Sequence, residues 1–290
     1  AHTGAAIDAL IHHLPQITNS LPPRLDHGVP RLPVDRVFTM TGFGTVVTGT
    51  LTGGSLRTGD EVEIQPGELR ARVRALQQYK QPADLVRPGS RVAVNLSGVS
   101  KDDLARGQVI SYPGRQQTSY LIDVRYTHLR DASHPLAHNA AVKVFVGSAE
   151  TTAHVRLLDS ETISAGSEGW LQLRLDSSLA VARGDRFILR RASPSETIGG
   201  GIVADAAPPR RWKRFRPEII HQLETRLTGT PAERISQLAS GDEPVKRTVL
   251  AQLSGLNAQE FQAALDDALV SQFLAAFPGD SFWSTTRVRA

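Results

Sequence analysis

The sequence predicts a mainly β protein in which two consecutive β-barrel units are followed by an α+β unit of the winged-helix type. Short runs rich in Val and Thr, alternating apolar with polar residues, recur between residues 31 and 208 and are separated by Gly, Pro, Ser or Asp clusters. Beyond residue 217 the apolar spacing becomes that of amphipathic helices, and a Pro278-Gly279-Asp280 turn near the end indicates a hairpin. With 290 residues the chain can hold two or three domains, each with its own core.

Composition places the chain among globular proteins, with 40% hydrophobic and 21% charged residues. The sequence has no apolar run long enough to cross a bilayer and no signal peptide, so we expect no membrane partner and a cytoplasmic location. It has no cysteine, which excludes disulfides and thiolate metal sites. A net charge of +4 permits a nucleic-acid partner. Because the single methionine is Met40, we expect the chain to be a piece of a longer protein.

Residues 1–24 are expected to form a lead-in and a linker. The run AHTGAAIDALIHHL predicts a loop followed by a short amphipathic helix that stops at Pro15. Five prolines between residues 15 and 33 predict extended chain after it.

Residues 25–112 predict the first barrel. The runs VDRVFTMT and TVVTGTL flank the turn Gly42-Phe43-Gly44, and Thr58-Gly59-Asp60 precedes a third strand, EVEI. The glycines do not fit a G-x-G-x-x-G nucleotide fingerprint, since the third comes one residue late and a β-branched run follows. In the later run LRARVRALQ we expect four residues to face inward and three arginines to face outward: Leu69, Ala71, Val73 and Ala75 against Arg70, Arg72 and Arg74. The run RVAVNLSG has the same alternation.

Residues 113–208 predict a second all-β unit with five strand-like runs, a number that suits a sandwich or a small barrel. These runs are SYLIDVRYTHL, AAVKVFVG, AHVRLLD, GWLQLRLD and RFILRR. The tripeptide Arg183-Gly184-Asp185 precedes the last run, which favours a turn over an adhesion motif.

Residues 209–290 predict the winged-helix unit. Pro217 suits a first helical turn, and both Thr230 to Glu233 and Asn257 to Glu260 are typical capping boxes. The helix AQEFQAALDDAL, in the place of a recognition helix, has three acidic residues and no basic one, so we favour a spacer or RNA-associated module over a DNA reader.

The run PPRRWKRFR at 208–216 supports two interpretations. Its basic residues beside Trp212 and Phe215 suit phosphate contacts and base stacking, and the same composition suits a solvated linker.

No catalytic motif is present, and there is no Walker loop. His134 and His138 are four residues apart without a carboxylate in a metal-ligand pattern, so we interpret them as surface histidines and expect no metal site. The function predicted from the residues is binding.

Three stretches carry a resemblance to a known family. VDRVFT followed by GFGT and VVTG resembles the opening of the second domain of translational GTPases of the elongation factor Tu class, and the selenocysteine-specific elongation factors are the most similar branch. RGDRFILRRASPSETIGGGIV resembles the third domain, and AHTG followed by IDAL resembles the end of the GTPase domain. The resemblance implies two elongation-factor-type β-barrels in a fragment without the GTPase domain, so that this chain holds no cofactor.

The resemblance also implies partners. These are selenocysteyl-tRNA and the ribosome. GTP and Mg would be bound by the full-length parent. The parent is expected to be a GTPase, and whether this chain by itself is an enzyme stays open. A messenger-RNA hairpin would be gripped by later winged helices that this sequence does not contain. Two alternatives stay open: a general aminoacyl-tRNA-binding factor, and a winged-helix regulator on a β-barrel scaffold.

By the resemblance, Asp35, Arg36 and Arg91 match the pocket for the selenocysteyl group. A selenol ionises more readily than a thiol or a hydroxyl, so two guanidinium groups would favour it over neutral side chains, and Asp35 could receive the amino group. The alternative is an exposed polar pair with an unrelated strand arginine. Weaker candidates for the tRNA backbone are Arg70, Arg72, Arg74, Arg190, Arg191, Arg210, Arg211, Lys213 and Arg214.

Overall fold

A computed structural model describes residues 3–22, 24–42 and 44–288. Residues 1 and 2 of the AHTG motif, and Phe43 of the predicted glycine turn, lie outside the described residues. Gly42 and Gly44 on either side of Phe43 have φ of +80° and +85°, which is the turn conformation that glycine adopts most easily.

The first helix, α1 (Ile7–Ser20), is longer than predicted because it does not stop at Pro15. A proline removes one hydrogen-bond donor and crowds one carbonyl, and both effects are local. After Pro15 the helix continues, and Thr18 Oγ1 donates to the carbonyls of Leu14 and Pro15 at 3.0 and 3.1 Å. None of the α1 side chains is buried.

Nine strands build barrel 1. They are β1 (Arg31–Met40), β2 (Gly44–Thr50), β3 (Leu56–Arg57), β4 (Glu61–Gln65), β5 (Leu69–Gln78), β6 (Gln81–Ala83), β7 (Leu85–Val86), β8 (Arg91–Ser97) and β9 (Val109–Ser111). Six of them close the ring in the order β4-β9-β1-β2-β8-β5, because β5 also pairs with β4. Strand β6 extends β5, and β3 pairs with β7 outside the ring. A 3₁₀ turn at Lys101–Asp103 precedes β9.

The inward face of β5 differs from the prediction at one position. A register shift between Val73 and Ala75 places two residues of β5 against one of β8. Ala71 and Val73 are buried as expected, but Ala75 is exposed and Leu76 takes the next inward position. The prediction that Ala75 faces inward is therefore wrong, because the bulge shifts the alternation of inward and outward side chains by one residue.

Barrel 2 is also closed, with six strands in the order β10-β15-β13-β12-β16-β17. The strands of this unit are β10 (Ser119–His128), β11 (Leu136–Ala137), β12 (Ala141–Val146), β13 (Ala149–Leu157), β14 (Thr162–Ile163), β15 (Glu168–Leu179), β16 (Arg186–Arg191) and β17 (Glu196–Asp205). All five predicted runs are ring strands, and β17 is the sixth, which the count from sequence missed.

Three consecutive glycines make β17 possible. A Cβ at Gly199 or Gly201 would overlap the carbonyl oxygen of Thr127 or Arg125 on β10, and one at Gly200 would lie 2.5 Å from the carbonyl oxygen of Phe187 on β16. The strand therefore needs glycine in order to approach both neighbours.

The two barrels are joined by a bidentate ion pair. Arg31 of β1 donates from its two terminal nitrogens to the carboxylate of Asp185 at 2.8 and 2.7 Å, and from Nε to Gln116 at 2.8 Å. Gly184 has φ of +88°, so Arg183-Gly184-Asp185 is a turn, as predicted. Its aspartate is occupied in the contact between barrels.

The segment after β17 packs onto barrel 2 instead of forming a solvated linker. Trp212 is buried and joins Leu158, Trp170, Ala204 and Leu223 in one apolar cluster. Leu223 belongs to α2 (Pro217–Thr228), which begins at the predicted proline. Helix α2 therefore lies on the second barrel.

The C-terminal unit combines helices with a small sheet. Its further elements are α3 (Pro231–Leu238), β18 (Val245–Lys246), α4 (Arg247–Ser254), α5 (Ala258–Val270), β19 (Leu274–Phe277), β20 (Ser281–Ser284) and α6 (Thr285–Val288). Both predicted capping boxes are present, at Thr230 with Glu233 and at Asn257 with Glu260. The strand order is β18-β20-β19, and the helices α3, α4 and α5 share a separate core with this sheet. The helices and the closing hairpin follow the predicted order, and the winged-helix identity of the unit stays a prediction.

Within residues 3–22, 24–42 and 44–288, no helix has the length and apolarity needed to cross a membrane. The same part of the chain contains no group of His, Asp and Glu side chains arranged for a metal ion.

Candidate functional site

The candidate site lies on the outer face of barrel 1, where β1, β2 and β8 run side by side. Val34 faces Gly49 and Arg36 faces Thr48, so Asp35 is an extra residue in β1 at a bulge. Without the bulge, Asp35 and Arg36 would point to opposite faces of the sheet. With it, Asp35 bonds to the outward side chain of Thr48 while Arg36 is exposed.

Glycine at position 49 lets the strands approach at this point. A Cβ at Gly49 would overlap the carbonyl oxygen of Pro33 in β1. Residue Gly49 belongs to the VVTG motif, so this part of the motif has a structural reason.

Asp35 is the centre of the site. Its carboxylate accepts a hydrogen bond from Thr48 Oγ1 at 2.6 Å and is paired with both terminal nitrogens of Arg91, one of them at 3.1 Å. Arg91 reaches it from β8, where it faces Thr50 of β2. The structure therefore brings Asp35 and Arg91 into direct contact.

Arg36 contributes charge without contact. Among the described residues it makes no hydrogen bond or ion pair, yet it lies close enough to stabilise the Asp35 carboxylate electrostatically. Partial burial alone would raise the pKa of Asp35, but the bonds from Arg91 and Thr48 and the attraction of both arginines outweigh it and hold the pKa below its usual value. The bond to Asp35 in turn raises the pKa of Arg91. The site is thus one carboxylate between two permanent cations.

The Asp35–Arg91 pair is exposed enough to open. The side chain of Arg91 is 51% exposed and that of Asp35 is 27% exposed. Ion pairs at such positions contribute about 0–1 kcal/mol. A ligand with its own charged groups can therefore compete for both partners.

The arginines of β5 lie away from this site. Arg72 faces Ser97 at the far end of β8, six residues from Arg91, which is about 20 Å along a strand. Arg70, Arg72 and Arg74 are exposed, and Arg72 pairs with Glu61 at 3.3 Å. The structure does not bring them to the pocket.

The arginines at the end of β16 are partly occupied. Arg190 donates to Ser195 Oγ at 3.0 Å, and Arg191 lies 3.8 Å from the carboxylate of Glu196 and 3.4 Å from the carbonyl of His134. Both belong to barrel 2 and not to the Asp35 site.

The basic segment divides into bound and exposed residues. Arg214 donates to the carbonyls of Leu157 and Ser160 and pairs with Glu161, at 2.9, 2.8 and 2.7 Å. Arg210 lies over the Trp212 ring at 5.4 Å from its centroid. Arg210, Arg211 and Lys213 are exposed.

Two residues of importance were missed from sequence. Thr48 links Asp35 to β2, and the alternation of TVVTG, in which Val47 is inward, could have indicated its outward position. Asp123 accepts from the indole of Trp212 at 2.6 Å, and no local pattern indicates that contact.

Comparison with known proteins agrees with this architecture. Residues 44–111 match the family model of elongation factor Tu domain 2, and residues 123–210 match that of the β-barrel domain of selenocysteine-specific elongation factors. The fold class predicted from sequence is confirmed for both barrels.

Curated relatives agree as well. A selenocysteine-specific elongation factor of Desulfomicrobium baculatum is 40% identical over 233 residues, 80% of this chain and 36% of that protein. The factor of Escherichia coli is 31% identical over 77% of this chain and 34% of its own length. The chain thus spans about a third of these curated relatives.

Solved structures share the fold. A bacterial selenocysteine-specific elongation factor matches 97% of this chain and 44% of its own with a TM-score of 0.74 and 22% identity. The apo factor of Methanococcus maripaludis matches 74% of this chain and 50% of its own with a TM-score of 0.62 and 24% identity. Taken with the sequence relatives, this chain belongs to the family of selenocysteine-specific elongation factors.

Proposed function

We propose that this chain holds the aminoacyl end of selenocysteyl-tRNA for delivery to the ribosome, acting in the cytoplasm as part of a GTP-dependent elongation factor. GTP and Mg would be bound by the GTPase domain of the full-length parent. The observation that carries the proposal is the Asp35 carboxylate between Arg91 and Arg36 on the surface of barrel 1.

The pocket can accept the ligand by exchanging partners. In the free protein Asp35 is paired with Arg91, while Arg36 is exposed. The ammonium group of the aminoacyl ester can take the Asp35 carboxylate, which releases Arg91 to join Arg36 on the selenolate. Each anion then has a cationic partner, and the two guanidinium groups share the selenolate.

A neutral side chain cannot complete this exchange. Seryl-tRNA brings the same ammonium group to Asp35 but offers no anion to Arg91, so the released guanidinium loses its partner. Specificity would come from this unpaired charge as well as from attraction to selenolate.

The test compares selenocysteyl-tRNA with seryl-tRNA on the same tRNA body, binding to wild type, Arg36→Ala and Arg91→Ala. A bond to a charged group contributes about 1.5–3 kcal/mol, so we expect Arg91→Ala to reduce the preference roughly ten- to a hundredfold. Cysteinyl-tRNA is the control for size, because most of its thiol is protonated at pH 7. Arg57→Ala, an exposed arginine of β3, is the matched control for charge.

Equal affinity for the two aminoacyl groups, unchanged by either substitution, would refute the pocket. That result would favour a general aminoacyl-tRNA-binding factor, for which Arg36 and Arg91 together are not needed.

A further inference from the structure

A transverse row of polar side chains on barrel 2 fixes the backbone after β17. Arg156 of β13 faces Gln172 of β15, and Gln172 faces Asp123 of β10. Gln172 donates to the carbonyl of Arg210 at 3.1 Å and accepts from the amide of Trp212 at 3.1 Å. The chain on both sides of residue 211 is therefore held against the barrel.

Arg156 completes this attachment and keeps part of its guanidinium free. Its Nε donates to the carbonyl of Trp212 at 2.7 Å. In the part of the chain that the structure describes, nothing forms a hydrogen bond or ion pair with its two terminal nitrogens, nor with the guanidinium of Arg211. Partial burial lowers the pKa of Arg156, and repulsion from Arg211 and Arg214 lowers it further. Because Arg156 is bonded to the carbonyl of Trp212, the residue that follows Arg211, the two arginines are neighbours.

His138 adds a neutral donor next to Arg156, because it is bonded to the amide of Leu157. Its Nδ1 accepts from the amide of Leu157 at 3.3 Å, so the ring proton is on Nε2. Burial lowers the pKa of His138, and the charges of Arg214, Arg156 and Arg211 lower it further, which keeps the ring neutral. Nε2 is then available as a hydrogen-bond donor.

Arg214 provides a fixed positive charge close to His138, since both bond to Leu157. Its guanidinium is held by the carbonyls of Leu157 and Ser160 and by Glu161. The Glu161 side chain is 74% exposed, so its charge is well screened by water. The balance of charge around Arg156 stays positive.

We propose that Arg156, Arg211 and His138 form a phosphate-binding subsite on barrel 2 for the backbone of bound RNA. Guanidinium and imidazole N–H groups suit phosphate oxygens. The inference rests on the proposed function, since the RNA is taken to be the body of the tRNA whose aminoacyl end is held on barrel 1. Such a contact adds affinity that does not depend on the amino acid.

The test measures binding of the full chain to a deacylated transcript of the selenocysteine-accepting tRNA between 0.1 and 1 M salt. Loss of one phosphate contact lowers the slope of log affinity against log salt by about 0.9, which is about eightfold in affinity at 0.1 M and little at 1 M. We expect this for Arg211→Gln and for Arg156→Gln. Arg57→Gln is the control for general loss of charge.

Arg211→Gln is the deciding variant, because Arg211 is exposed and its side chain forms no hydrogen bond or ion pair with any residue that the structure describes. Arg156→Gln also removes the bond to Trp212, so tryptophan fluorescence must confirm that the segment remains docked. If Arg211→Gln leaves both affinity and slope at the level of Arg57→Gln, the subsite is refuted.

The two proposals can fail separately. Loss of the salt-dependent contact in Arg211→Gln, with no preference of wild type for selenocysteyl-tRNA over seryl-tRNA, would keep the subsite and refute the pocket. A clear preference of wild type for selenocysteyl-tRNA over seryl-tRNA, with an Arg211→Gln variant that binds like Arg57→Gln, would keep the pocket and refute the subsite. A wild-type chain that binds no tRNA at all would refute both.

Discussion

The buried carboxylate of Asp123 should make the stability of barrel 2 depend on pH. It accepts hydrogen bonds from Gln172 Nε2 at 2.9 Å and from the indole of Trp212 at 2.6 Å. Burial is the largest influence on this group and raises its pKa from 3.8 to about 6, against the effect of both bonds and of Arg226. The native state therefore binds the proton more tightly than the unfolded chain does.

The size of the effect follows from that difference in pKa. The gap between 3.8 and about 6 corresponds to about 3 kcal/mol in the free energy of unfolding. Because the native pKa is the higher one, this contribution is fully present below pH 3.8, falls as the pH rises, and is lost above about pH 6. Other groups add their own dependence, so the measurement must compare variants.

The perturbation is Asp123→Asn, which removes the titration and keeps one acceptor. The amide nitrogen that the substitution introduces faces the N–H group of Gln172 or Trp212, where an acceptor is needed. We therefore expect the free energy of unfolding to fall by about 1–3 kcal/mol at pH 4. At pH 7 Asp123 of the wild type is ionised and no longer adds this contribution to the free energy of unfolding. The two proteins should then be of similar stability. The two stability curves are expected to converge between pH 4 and pH 6.

Urea unfolding followed by tryptophan fluorescence gives these curves. Trp170 and Trp212 both lie in the cluster beside Asp123, and a Trp283→Phe background removes the third tryptophan. Asp131→Asn, in the exposed turn after β10, is the matched control. Parallel curves for wild type and Asp123→Asn, separated by the same amount at every pH, would show that the reasoning is wrong.

Two further predictions concern the barrels. Gly201→Ala should destabilise barrel 2 by about 3 kcal/mol or more in urea unfolding, since the new Cβ overlaps the carbonyl of Arg125. Gly241 has open space around it, so Gly241→Ala should change the stability little. Equal effects of the two substitutions would contradict the argument that β17 needs glycine for its close approach to β10. Arg31→Lys should weaken the contact between the barrels by about 1–3 kcal/mol, because lysine cannot donate bidentately to Asp185. The expected observation is faster proteolysis of the chain between the barrels. An unchanged cleavage rate would rule this out.

The strands of both barrels could be predicted because alternation is a local signal. The prediction failed where tertiary contact decides the outcome. Gly199 to Gly201 are typical of a loop by composition, yet they lie in β17 because only glycine fits between β10 and β16. Ala75 is exposed because a bulge, which the apolar pattern does not contain, resets the alternation of β5.

The candidate site was accessible to sequence only through resemblance. Arg91 is 56 residues from Asp35, and no periodicity connects them. Trp212 illustrates the opposite case, in which an aromatic residue among arginines suggested base stacking and the structure buries it against Asp123 and Gln172. Composition cannot distinguish an aromatic side chain that meets RNA from one that attaches a segment to its own barrel.

The weakness of the Asp35–Arg91 pair is what makes the proposed pocket workable. A deeply buried pair would resist opening, because its separated charges would have no water to solvate them. Here Arg91 is half exposed, so releasing it costs little until a bound aminoacyl ester covers the site. Once water is displaced, an unpaired guanidinium becomes costly and a paired one becomes favourable. In the proposed mechanism the ligand itself creates the low-dielectric surroundings in which selenolate and a neutral side chain differ, so discrimination arises in the complex and requires no strained arrangement in the free protein.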